Sequence, residues 1–141
     1  MPPTKTPILF SDIQKYLDAI ADNPNNTGDV GSSRHQRFWN TTYLAFTTGN
    51  VPSELCNNAP IPIVGKVAGN PNVDPAQCPF FQALVGPTGW CNKGTMPKFG
   101  PPTSFITDPN YKITLSDGTV LSGANIQDNI TWWLQHGLPE K

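Results

Sequence analysis

Arg34, His35 and Arg37 stand together in the run Ser32-Ser33-Arg34-His35-Gln36-Arg37-Phe38-Trp39-Asn40. They are the only two arginines and one of the only two histidines in a chain of 141 residues. A guanidinium presents its N–H donors in a planar fork that fits the oxygens of a carboxylate or a phosphate. An imidazole changes charge near neutral pH and passes protons readily. These residue types at this spacing suit the holding of an oxyanion, with proton transfer beside it.

The surrounding residues say what must position them. Ser33 with Gln36 three places on is a capping-box pattern, which predicts a helix from Arg34 to about Thr47, ended by Gly49. Arg34, His35 and Arg37 then fall in its first turn, at the positive end of the macrodipole. Cations there oppose the helix by about 0.3–1 kcal/mol each when exposed. A cluster so placed is explained if a negative group sits on it. Trp39, Tyr43 and Phe46 repeat at helical spacing and read as core, with the Tyr43 hydroxyl able to reach toward the cluster.

Only 13% of residues are charged and the net charge is −1, so no global basic field favours nucleic acid or an anionic membrane. Sixteen prolines and twelve glycines predict long, stiffened connections around one core. No apolar run is long enough to cross a bilayer. The start Met1-Pro2-Pro3-Thr4-Lys5 lacks the layout of a signal peptide, which fits a cytosolic protein or one whose leader has been replaced. Asn25, Asn40 and Asn129 each open an Asn-x-Thr sequon, of consequence only in a secretory compartment. Cys56, Cys78 and Cys91 permit at most one internal disulfide, either between Cys78 and Cys91 or between Cys56 and one of them. No metal-ligand spacing is present, and no metal is expected.

Along the chain, residues 1–9 read as an extended arm. Ser11 and Gln14 predict the start of a first helix, with Ile13, Tyr16, Leu17 and Ile20 as its apolar stripe and Asn23-Pro24 as its stop. Residues 51–73, with four prolines, predict an irregular traverse with Ile61, Ile63 and Val64 tucked inward. Asp74-Pro75 caps a third helical element, which Pro79 splits before Gly86. Residues 111–121 predict a hairpin turned by Asp117-Gly118 in type I′ geometry. A last helix over about 124–136 carries Ile126, Ile130, Trp133 and Leu134 on one face, with Gly137 as its left-handed cap. The fold class expected is mainly α: one domain over 1–141 of about four helices, one short β-hairpin and long Pro/Gly-rich loops.

Several segments resemble the small class I c-type cytochrome module: Phe10-Ser11-Asp12-Ile13-Gln14, Pro62-Ile63-Val64-Gly65, Phe81-Gln82-Ala83-Leu84, Gly94-Thr95-Met96-Pro97 and Trp132-Trp133-Leu134-Gln135-His136-Gly137-Leu138-Pro139. The resemblance implies a helical topology, and it implies His35 and Met96 as axial ligands of haem iron. The residues leading to His35 are Gly31-Ser32-Ser33-Arg34, without the Cys-x-x-Cys that attaches haem, so only a noncovalent haem fits.

Two functions follow. The first is a cofactor-independent, ribonuclease-type cleavage of a phosphodiester, with RNA as the phosphate-bearing partner. There Arg34 and Arg37 bind the phosphate, His35 transfers protons, and Tyr43 and Asp74 are the supporting catalytic groups. His136 and Lys93 are further candidates for the second acid–base group. The second is a non-enzymatic binding module, either a haem-less or noncovalent-haem cytochrome relative or a domain recognising a carboxylate, a sulfate or a protein. Phosphate loops, zinc-protease and nucleophile-elbow motifs are absent, and with only Glu54 and Glu140 as glutamates no carboxylate pair stands out.

Overall fold

The computed structural model describes residues 3–22, 37–86, 89–91, 96 and 105–141. Helix α1 (Phe10–Ala21) follows the predicted stripe: Ile13, Tyr16, Leu17 and Ile20 are all buried. Its N-cap is Leu9, two residues earlier than the Ser11 cap expected. Asp12, rather than Gln14, reaches back, its Oδ2 accepting the Leu9 N–H at 2.9 Å while its Oδ1 pairs with Lys5 Nζ.

The predicted helix over 34–47 is reduced, among the described residues, to α2 (Tyr43–Thr48). Thr42 caps it, its hydroxyl accepting the Ala45 N–H. Asn40, Thr41 and Thr42 bond readily to nearby backbone, which favours turns and caps over helix interior. Ser33 and its capping box lie outside the described residues.

The stretch expected to be irregular forms a hairpin instead. Strands β1 (Asn50–Cys56) and β2 (Ala59–Pro62) pair antiparallel, with Cys56 opposite Ala59 and a bulge between Asn50 and Leu55. Asn57 and Asn58 make the turn, both at positive φ (52° and 67°). Asparagine tolerates that region better than other side-chain-bearing residues, so Asn-Asn supplies the twist a two-residue hairpin needs. The fold is therefore mixed α and β rather than mainly α, with two separate two-stranded sheets among the described residues.

A 3-10 turn (Pro75–Gln77) and α3 (Pro79–Val85) follow, divided at Pro79 as its missing N–H requires. Strands β3 (Lys112–Thr114) and β4 (Val120–Ser122) form the second hairpin in the expected place. Its turn differs: Gly118 alone takes positive φ, and Leu115 accepts from Gly118 while donating to Thr119. That is a three-residue loop with glycine at the bulge, not type I′.

Ser122 and Asn125 box the start of α4 (Gly123–Gln135). Gly123 lies where a Cβ would come within 1.9 Å of the Ile106 carbonyl oxygen, so this contact admits glycine only. Gly137 at φ 81° and the Leu138 N–H donated to Trp133 O close the helix end as a Schellman motif.

Phe46 sits at the centre of the core, fully buried. Phe10 of α1, Phe80 of α3 and Trp133 of α4 each bring a ring within 5.3–6.2 Å of it. The arm is stitched down by Ile8, which is fully buried, and by Thr4, whose N–H donates to Asn129.

Candidate functional site

Arg37, the one member of the basic cluster within the described residues, lies against the C-terminal end of α1. Its Nη1 donates to Asp18 Oδ1 at 3.0 Å, and its Nη2 donates to Asp22 Oδ1. These bonds, that to Asp22 foremost, raise the guanidinium's already high pKa. Asp18 Oδ1 also accepts the Trp39 Nε1–H at 2.8 Å, and Gln14 Nε2 donates to the Trp39 carbonyl. Residues 37–39 are thereby fastened to α1.

The arrangement has an electrostatic cause. Asp18 and Asp22 place two carboxylates at the negative end of the α1 macrodipole, and the last turn contains no basic residue. Arg37 supplies the missing cation from across a loop. One guanidinium facing two carboxylates leaves a net charge of −1, which repels an incoming anion. The sequence carried a signal for this: an Asp pair four residues apart at a helix end calls for a basic partner.

Tyr43 lies elsewhere. Its ring packs edge-on against Phe10, the first residue of α1, at 5.6 Å, and its hydroxyl donates to Leu138 O. Asp18 is eight residues along α1 from Phe10, about 12 Å at 1.5 Å per residue. Tyr43 and Arg37 thus serve opposite ends of the same helix. Burial, aided by the charge of Glu140, also pushes the Tyr43 phenol above its usual pKa.

Asp74 caps the 3-10 turn, its Oδ1 accepting the Ala76 N–H. The neighbouring Val73 N–H donates to Leu134 O, which puts Asp74 at the C-terminal end of α4. His136 is at that same end. Its Nδ1 meets the Trp132 carbonyl at 2.7 Å, and its ring stacks on Trp132 at 4.3 Å and 8°. Three candidate residues, Tyr43, Asp74 and His136, therefore gather around residues 134–138, while Arg37 is set apart. Arg34, His35 and Lys93 lie outside the described residues. Met96 is partly buried against the core, its N–H donated to Ala83 O.

No protein-family model, curated protein or solved structure matches this chain. Function therefore rests on the residues themselves. Among the described residues no helix is long and apolar enough to cross a membrane. No group of three or more His, Cys, Asp and Glu side chains among them is placed to hold a metal ion.

Proposed function

We propose that this protein is a non-enzymatic recognition domain for an oxyanion carried by a partner, met by Arg34 and His35. The observation that carries the reading is the engagement of Arg37 by Asp18 and Asp22 at one end of α1, with the Tyr43 hydroxyl bonded to Leu138 O at the other. Cleavage of a phosphodiester needs cations and acid–base groups within hydrogen-bond reach of a single phosphate. Recognition needs only donors that can converge on the anion. Arg37 and Trp39 are bonded to the carboxylates at the end of α1 and serve to anchor residues 37–39 there. The Cys56–Cys91 disulfide supports an oxidising compartment for the domain.

Calorimetric titration with inorganic phosphate tests the reading. Wild type binds saturably, and R34A and H35A each weaken binding by about 10-fold or more, as expected for the loss of a hydrogen bond to a charged group. Y43F and D74N bind as wild type does. Equal phosphate affinity in wild type, R34A and H35A would overturn the proposal.

A further inference from the structure

We infer that the Cys56–Cys91 disulfide is a reversible redox switch: a dithiol opens it in the folded protein and releases residues 89–91 from the tip of the first hairpin. The inference is independent of the recognition reading above. It begins from where the bridge lies. Cys56 ends β1, immediately before the Asn57-Asn58 turn. Cys91 follows α3, and Met96, five residues further on, donates its N–H back to Ala83 O of that helix. Each side of the bridge therefore has a closure of its own, the β1–β2 ladder on one and the Met96–Ala83 bond on the other. Neither cysteine belongs to the buried core. Opening the bond separates two tips and leaves the rings around Phe46 in place.

The two sulfurs also differ in access. Cys91 is exposed and Cys56 half-buried. Exposed disulfides are the labile ones, because exchange requires a thiolate to reach a sulfur. Attack on Cys91 Sγ breaks the bridge and expels Cys56 as a thiolate, which takes a proton. The second thiolate of the dithiol then attacks the sulfur bonded to Cys91 Sγ, and Cys91 leaves as a thiolate that is protonated in turn. Two electrons and two protons pass to the protein, and the dithiol departs as its own disulfide. Cys91 is held at φ 54°, a left-handed conformation unfavourable for cysteine. Once the bond is open this backbone is free to relax, so the two redox states differ in conformation as well as in bonding. Cys78, the third cysteine, has no exposed surface at the head of α3, and burial pushes its thiol up to about 12. It stays protonated and out of reach, so oxidation restores the same pair.

Dithiothreitol acting on the full chain at neutral pH, without denaturant, tests the switch. The rate of opening, followed by alkylation and mass, should rise in proportion to the dithiothreitol concentration. Iodoacetamide should then label Cys56 and Cys91, and should reach Cys78 only after denaturant is added. Amide NMR shifts should change within 50–62 and 89–91, while those of Ile130 and Trp133 in α4 keep their positions. Replacing the reductant with oxidised glutathione should restore the original spectrum. The C56S/C91S variant should show the reduced-state spectrum without any reductant, and C78A should open and close as wild type does. A bridge that does not open, or a rate that levels off at that of global unfolding, overturns the inference. So do shift changes spread through α4, an unfolded C56S/C91S chain, alkylation of Cys78 before denaturation, or failure to recover the original spectrum.

Discussion

Asn129 has no exposed surface, and its side chain joins three partners: it accepts the Thr4 N–H and donates to the Thr4 hydroxyl and to the Tyr16 hydroxyl. As the opening of a sequon it is closed to any glycan in the folded chain, whereas Asn40 is exposed. The sequence reading took Asn129 only as a sequon and missed the signal of its burial: it falls on the same helical face as Ile126, Ile130 and Trp133, and a polar residue inside an apolar stripe needs partners within the fold. Those partners, in an arm and a helix more than a hundred residues away, were not legible. Tyr16 gives the residue-scale prediction. Burial pushes its phenol up to about 12 from an ordinary value of 10.0, against the smaller opposing effect of the Asn129 hydrogen bond. Between those values the unfolded chain has lost the proton and the folded chain keeps it. Stability from this group is therefore complete below pH 10 and declines as pH rises toward 12. Urea midpoints taken across this window should fall steeply in wild type and less steeply in Y16F; parallel curves would contradict the assignment. The buried Cys78 thiol, also raised to about 12 by burial, shifts in the same direction and is unreactive while the fold is closed.

At the scale of elements, the parts that announced themselves were those with a clean apolar period or an unambiguous breaker. Helices α1 and α4, the division at Pro79 and the second hairpin are of this kind. The first hairpin was hidden because Pro52, Pro60 and Pro62 read as interruptions. It accommodates them through short pairing on either side of a bulge. Asn57-Asn58 was the overlooked turn signal, with Cys56 immediately before it. The start of α2 was placed too early because the Ser33–Gln36 capping pattern, with Trp39 in step with Tyr43 and Phe46, outweighed Thr42, the cap that the structure uses. Trp39 is buried from a turn, held by Asp18, rather than from a helix. The disulfide ties the end of β1 to Cys91, a separation of 35 residues. Closing a loop of that length in the unfolded chain corresponds to about 3–4 kcal/mol of stabilisation. The C56S/C91S variant should lose about that much in urea denaturation, while C78A leaves the bridge intact. A loss well under 1 kcal/mol would show that the bridge does not constrain the unfolded chain as described.

For the whole molecule, the core is a meeting of rings on Phe46, and the two ends of α1 have different work. One end holds the tail: Phe10 N–H and Trp133 Nε1–H both donate to Pro139 O, and Tyr43 holds Leu138 in a left-handed conformation. The other end holds Arg37 and Trp39. Sequence alone grouped Arg37 with a distant tyrosine and aspartate because nothing local shows which end of a helix a loop will reach. The basic cluster is a concentration of charge in the sequence, but nothing in the sequence showed that two aspartates of α1 would engage its one described member, Arg37. The central claim is that the cluster recognises an oxyanion without breaking a bond. The most direct measurement is the phosphorus NMR spectrum of a short RNA oligonucleotide incubated with the protein. The account predicts diester resonances that shift and broaden to saturation, with no new signal over prolonged incubation. A cyclic-phosphate resonance that appears with wild type and is lost in a folded H35A variant, or diester resonances that never move, would contradict it.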